Sequence, residues 1–183
     1  MRRRLRSLSR LCLPALLLAL FGCGLGRNQF APACPVAQLV PALADLTRYA
    51  TAGAGGGHDL TDLILQARVV KVNGTCQPTD SKTILDASVQ VSISVQRGPA
   101  MRGRQADVPV FVAVAEGNDV RDKQMFPVHV VFPPNVDRLT LTSQPIDMGL
   151  PVSQNVNGAA YNIISGFQLS PDELAANRQA AGG

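Results

Sequence analysis

Two histidines, four cysteines and 13 acidic side chains are the groups of this chain that could perform catalysis or hold a metal ion. A serine triad would need His58 or His129 as its base, yet the chain has neither a Gly-x-Ser-x-Gly elbow nor a His-Glu-x-x-His metal helix. His58 follows the glycine-rich residues 53–57, which predict an exposed loop, whereas His129 lies in the apolar run 128–131, which predicts a strand. We therefore predict that the protein is not an enzyme and uses no cofactor.

Two pairs of aspartates with the same spacing could contribute to a cation site. Asp59 and Asp62 stand three residues apart, as do Asp119 and Asp122. A hard cation takes about six oxygen ligands, and neither pair has further ligands nearby. We expect solvated loop carboxylates at these positions, and no metal site.

The start of the chain has the pattern of an export signal. Residues 2–10 contain five arginines and no acid, residues 11–21 form an unbroken apolar run, and Gly22 and Cys23 follow. A basic segment, a short apolar segment and small residues at the cleavage point are typical of such signals. The apolar run is shorter than the roughly 20 residues that a membrane-spanning helix needs.

Residues 20–23 (LFGC) resemble the lipobox of bacterial lipoproteins. The resemblance implies cleavage before Cys23, a diacylglycerol and fatty acids such as palmitate on that cysteine, and therefore a lipid bilayer as a partner. Sorting of such lipoproteins retains those with aspartate after the cysteine, so Gly24 implies an outer-membrane protein that faces the periplasm. The alternative is an ordinary secretory signal that is cut after Ala33.

Removal of the signal changes the charge of the protein. The whole chain carries +4, but residues 1–22 hold five arginines and no acid, so the remainder has a net charge of about −1. The basic character thus belongs to export, and we expect no nucleic-acid partner.

The cell envelope also determines how the remaining cysteines are interpreted. Cys34 and Cys76 are left in an oxidising compartment, where we expect them to form a disulfide. The bond would close a loop of about 43 residues and stabilise the fold by roughly 4 kcal/mol. A redox or metal pair is the alternative, but redox cysteines usually have Cys-x-x-Cys spacing, and metal sites need about four ligands.

Composition and patterning divide the chain into four parts. Residues 1–22 are the signal peptide, residues 23–33 a lipidated tether, residues 34–170 a β-domain, and residues 171–183 a short helix with a flexible tail. Ser170 is the predicted N-cap of that helix, with Pro171 at its first position.

The domain is predicted from alternating apolar residues. Alternation is clearest over residues 86–96, where Val89, Val91, Ile93 and Val95 share one face. Further strands are predicted at residues 35–40 (an edge strand), 60–72 (with a bulge near Val69 and Val70), 108–115 (a central or covered strand), 120–132, 139–142 and 161–169, with a hairpin turn at 116–119. About six or seven short strands of this kind indicate an all-β fold. We expect an antiparallel β-sandwich, and the immunoglobulin-like arrangement is one form that it could take. A small barrel is the alternative.

Two other short motifs are interpreted as loops. The sequence Asn73-Gly74-Thr75 formally matches a glycosylation acceptor, and we predict a turn leading into Cys76. Residues 97–104 carry three arginines, which could touch anionic lipid or lipopolysaccharide, and we predict a solvated loop.

The body also resembles small envelope lipoproteins of alphaproteobacteria. The resemblance covers about residues 34–178 and rests on Cys34-Pro35, on residues 59–62 (DLTD), 74–76 (GTC) and 97–100 (RGPA), and on residues 166–174 (GFQLSPDEL). It implies an envelope location and carries no activity with it.

Three functions are consistent with these sequence features. The leading hypothesis is a non-catalytic, membrane-anchored module for protein interaction or assembly support, with an envelope protein as partner. A binding module for a lipid, glycan or small ligand predicts a deep pocket. The last hypothesis, an unrecognised hydrolase, requires His58 or His129 beside both a nucleophile and a carboxylate.

Overall fold

The computed structural model describes residues 33–50 and 59–182, and this part of the chain contains nine strands and one α-helix. The predictions for the signal peptide, the tether, Cys23 and His58 concern residues outside it. The elements are β1 Val36–Leu39, β2 Asp45–Tyr49, β3 Leu63–Pro78, β4 Ile84–Arg97, β5 Gln105–Glu116, β6 Asp119–Val131, β7 Arg138–Thr142, β8 Ile146–Pro151, β9 Tyr161–Phe167 and α1 Pro171–Gly182. No helix within the described ranges combines the length and the apolar composition that crossing a bilayer requires.

The strands form two sheets that pack as a sandwich, so the predicted fold class is confirmed. The four-stranded sheet has the order β1-β9-β5-β6, and the five-stranded sheet has the order β2-β3-β4-β7, with β8 paired to the other half of β4. All pairs are antiparallel except β1 with β9. The described residues contain more strands than the six or seven predicted, because β2 and β8 are short and show little alternation.

The core lies where the sequence alternates. Val89, Val91, Ile93 and Val95 of β4 are all fully buried, as predicted. The predicted central strand is also confirmed, because β5 lies between β9 and β6. Alternating residues of both sheets fill the space between them, as in other β-sandwiches.

Strand β3 confirms one local prediction and contradicts another. Its register against β4 shifts between Val69 and Lys71, which is the predicted bulge. The predicted turn at residues 73–75 is wrong, because β3 continues to Pro78 and Gly74 pairs with Val89. The reversal comes later, at residues 79–82, where the amide of Lys82 donates to the carbonyl of Thr79.

The two ends of β4 mark two ends of the sandwich. We call the first the disulfide end, because the predicted bond between Cys34 and Cys76 is present there, with the two Cα atoms 5.7 Å apart. The opposite end, beyond Arg97, contains the loop 98–104 and the segment 133–137, and we call it the arginine end.

The C-terminal helix begins as predicted. The hydroxyl of Ser170 accepts from the amide of Glu173 at 3.2 Å, and the amide of Ser170 donates to the Glu173 carboxylate at 2.7 Å. This reciprocal pair is a capping box. Asn177 then holds the helix against the start of β2 by donating to the carbonyls of Ala42 and Asp45.

Candidate functional site

His129 meets a carboxylate but no nucleophile. Its Nδ1 lies 2.8 Å from Oδ1 of Asp107, the residue opposite it in the β5–β6 ladder, and both side chains are more than half exposed. No serine, threonine or cysteine of the described residues hydrogen-bonds to the imidazole. The arrangement therefore supplies two of the three groups that a serine-type hydrolase needs.

One aspartate of each pair serves local structure. Asp59 caps a single 3₁₀ turn by accepting from the amide of Thr61 at 3.1 Å. Asp122 accepts from the amide of Lys123 at 2.8 Å. No group of three His, Cys, Asp or Glu residues that could hold a metal ion occurs in the part of the chain that the structure describes.

The basic loop at the arginine end is mainly structural. Arg97 donates to the carbonyls of Gly103 and Met101, at 3.1 and 3.0 Å. Arg104 donates to the carbonyls of Phe132, Pro133 and Val136. Both guanidinium groups also lie within 4 Å of the Asp137 carboxylate.

Consequently, only one arginine of this loop is exposed to solvent and free to contact a ligand. The side chain of Arg102 is exposed and has no hydrogen-bond partner among the described residues. A single arginine is a weak site for anionic lipid. The predicted solvated loop is therefore confirmed only in part: Arg102 is exposed, whereas Arg97 and Arg104 are half-buried and hydrogen-bond to neighbouring carbonyls.

Strand β6 has one edge that no described strand pairs with. It is the last strand of the four-stranded sheet and is 13 residues long, and Val120, Met125 and Val131 are half or more exposed. An edge of this kind presents unpaired backbone amides and carbonyls.

Two prolines show which backbone groups face that edge. Pro127 lies opposite Pro109 of β5, and neither residue can donate. The carbonyl of Pro109 accepts from the amide of Gln168 and is therefore turned towards β9. Pro127 must then face away from β5, and since the pattern repeats every two residues, Met125 and His129 face the free edge too.

A cleft lies beside this edge, between the sheets near the disulfide end. It has a volume of about 550 Å³. Its floor includes Val114, Leu150 and Tyr161, which are at most 6 % exposed and belong to the core. Its rim carries polar groups, among them Glu116, Arg121, Asp122, Gln124 and Asp147.

The cleft exists because the inward-facing side chains of β6 change from polar to apolar along the strand. Phe126, Val128 and Val130 pack towards the core, whereas Gln124 and Asp122 occupy the preceding inward positions. Polar side chains at inward positions are a local break in the folding pattern, which is typical of functional positions. This signal is visible in the alternation of the sequence, but none of the predictions drew on it.

The rim of the cleft is acidic overall. Glu116 is paired with Arg121 at 2.8 Å, and Asp122 accepts from the side chain of Gln124 at 3.2 Å. Asp147 has no hydrogen-bond or ion-pair partner among the described residues. The cleft could therefore accept a side chain with an apolar stem and a positive head group, such as lysine or arginine.

No family model matches this chain, and comparison with curated proteins and with solved structures gives no significant match.

Proposed function

We propose that this protein is a non-catalytic lipoprotein of the bacterial envelope that binds a partner protein by strand addition to β6. The observation that supports the proposal is the unpaired edge of β6, beside a cleft with an apolar floor and an acidic rim. An added strand would gain affinity from main-chain hydrogen bonds and specificity from a pocket that receives one of its side chains.

The charge of the cleft defines the partner more closely. Because two of its three carboxylates have no cationic partner among the described residues, the residue that enters the cleft carries a positive charge. The partner segment is therefore an extended strand with a lysine or arginine near one end.

In this proposal, a lipid anchor keeps the β6 edge close to partners in the membrane. In this proposal Cys23 is acylated and holds the domain at the outer membrane, on the periplasmic side. Two or three acyl chains hold a protein firmly, whereas a single chain binds only marginally. Anchoring raises the effective concentration of the edge near membrane partners, so a modest affinity suffices.

The alternative functions have less support. A module that encloses a lipid or another small ligand requires a deep pocket, but the cavities found among the described residues are surface grooves and clefts. A hydrolase requires a nucleophile beside His129, and none of the described residues supplies one.

Proline substitutions test the binding edge. Met125→Pro removes an amide that faces the free edge and should abolish partner capture, while the free energy of unfolding changes little. Gln124→Pro removes an amide that bonds to β5 and should destabilise the domain instead. A photo-crosslinker at Met125 in intact cells should capture one partner, and one at Thr140, on the other sheet, should not. Equal capture from both positions contradicts the proposal.

The anchor is tested separately. Metabolic labelling with a palmitate analogue should mark the wild-type protein, and Cys23→Ser should release the protein from membranes. If the chain is unlabelled and Cys23→Ser stays membrane-bound, the lipoprotein assignment fails whatever β6 binds.

A further inference from the structure

The outer face of the five-stranded sheet carries polar side chains in register. One cross-strand row runs from Thr47 through Gln66 and Gln96 to Arg138. The next row runs from Asp45 through Arg68 to Ser94. Neighbouring strands lie about 4.8 Å apart, so these groups form a regular array of hydrogen-bond donors and acceptors.

Part of this array forms the floor of a groove. The groove has a volume of about 470 Å³, and Asn177 and Ala180 of α1 form one of its sides. We call it the polar groove. Asn177 is held by its bonds to the carbonyls of Ala42 and Asp45, so the wall of the groove is fixed before any ligand arrives.

The two arginines of the polar groove differ in how their charge is compensated. Arg68 is neutralised by Asp45 in a two-point contact of 2.6 and 3.1 Å, and this hydrogen bond and the charge of Asp45 raise the pKa of Arg68. Arg138 donates only to the uncharged amide of Gln96. No carboxylate of the described residues lies within 4 Å of Arg138, so its charge is available to a ligand.

Some uncharged polar groups of the groove also remain available. The carboxamide of Gln66 has no hydrogen-bond partner among the described residues, and it lies between Thr47 and Gln96 in the row. Val70, half exposed at the bulge of β3, adds a small apolar contact. Groups that both donate and accept match sugar hydroxyls, and the guanidinium of Arg138 matches a carboxylate.

We propose that the polar groove binds an acidic oligosaccharide, with a carboxylate of the sugar on Arg138 and its hydroxyls on Gln66 and Gln96. The floor favours a sugar over a peptide strand, because β3 and β4 lie inside the sheet and their backbone groups are already paired. This site is separate from the β6 edge, and neither proposal depends on the other.

Binding of defined oligosaccharides to the full-length chain tests the inference. A tetramer of galacturonic acid should bind in isothermal titration calorimetry, with an affinity that falls as salt is added, and uncharged maltotetraose should bind at least tenfold more weakly. Arg138→Gln should weaken binding of the acidic tetramer about tenfold. Gln66→Ala should weaken it several-fold. Arg102→Gln, which removes an exposed arginine at the arginine end, should leave it unchanged.

Three results would overturn the assignment. The first is the absence of binding at millimolar oligosaccharide, and the second is an equal loss of affinity in Arg138→Gln and Arg102→Gln, which would indicate non-specific charge attraction. The third is tighter, Arg138-dependent binding of a tetraglutamate peptide, which would make the occupant an acidic peptide.

Discussion

The two ends of the sandwich hold their loops by different chemistry. At the disulfide end, one covalent bond joins Cys34, just before β1, to Cys76 near the end of β3. At the arginine end, Arg97 and Arg104 hold the loop 98–104 and the segment 133–137 through backbone carbonyls. The first connection depends on an oxidising compartment, and the second does not.

This difference determines how each end of the domain responds to reducing conditions. A disulfide acts mainly by restricting the unfolded chain, so its loss lowers stability without removing contacts from the folded domain. The arginine bonds act in the folded state, where they join backbone carbonyls of neighbouring segments. Because Cys34 lies just before the edge strand β1, reduction should also release that strand locally, whereas the loop at the arginine end keeps its hydrogen bonds.

Removal of the disulfide should have the largest effect. Replacing both Cys34 and Cys76 by serine should lower the free energy of unfolding by about 4 kcal/mol, as expected for a loop of this length. Urea denaturation under oxidising conditions measures the change. Hydrogen exchange should accelerate in β1 and in residues 79–82, while residues 98–104 keep their protection.

The double variant also supplies its own control. A reducing agent should destabilise the wild-type protein to the level of the variant and should leave the variant unchanged. If reduction weakens protection equally at both ends, the two ends do not behave independently and the comparison fails.

A matched pair of glycines compares the rigidity of the two ends. A Cβ at Gly98 would lie 2.0 Å from the carbonyl oxygen of Leu63, and one at Gly158 would lie 1.9 Å from that of Ala33. Leu63 begins β3 and also accepts from the amide of Ala100, whereas Ala33 precedes the first strand. Gly98→Ala should therefore cost about 3 kcal/mol of folding free energy, and Gly158→Ala, whose Cβ would also lie 2.6 Å from Cδ2 of the fully buried Leu85, about 2 kcal/mol.

Thermal denaturation of the two alanine variants measures this difference. Gly103→Ala is the reference for backbone strain alone, because Gly103 has a φ of 86° and a Cβ added there would meet no atom within 4 Å. Equal losses of folding free energy in Gly98→Ala and Gly158→Ala would show that the backbone at Ala33 resists displacement as strongly as that of strand β3.

Arg104 tests the hydrogen bonds at the arginine end directly. Arg104→Gln is too short to reach the carbonyls of both Phe132 and Val136, so we expect a loss of about 2 kcal/mol. Arg102→Gln, in the same loop, should change stability by less than about 0.5 kcal/mol. Both values come from urea denaturation, and similar losses in the two variants would refute a structural role for Arg104.

The sequence predicted the parts of this fold that follow from local periodicity. The alternation in β4, the bulge in β3 and the cap at Ser170 are each set by nearby residues, and all three were predicted. The pairing of Cys34 with Cys76 was also predictable, because only two cysteines follow the segment that ends at Cys23.

Features that depend on how strands pair could not be predicted in the same way. Strand β2 contains one fully buried residue, Leu46, and its pairing with β3 comes from position rather than pattern. The roles of Arg97 and Arg104 require carbonyls that only the folded chain brings within reach. The polar groove joins β2, β3, β4 and β7, so its residues are neighbours only after folding.

The cap of helix α1 lies away from both the disulfide and the arginine hydrogen bonds, and its removal should have the smallest effect on stability. Ser170→Ala removes the hydroxyl that accepts from the amide of Glu173 and should lower the free energy of unfolding by about 1 kcal/mol. Glu173→Gln keeps a side chain that can accept from the amide of Ser170 but removes the 3.6 Å ion pair with Arg48. Because that pair is partly exposed, Glu173→Gln should change stability by less than about 0.5 kcal/mol. If urea denaturation instead gives Glu173→Gln the larger loss, the helix is held to β2 by charge rather than by its cap.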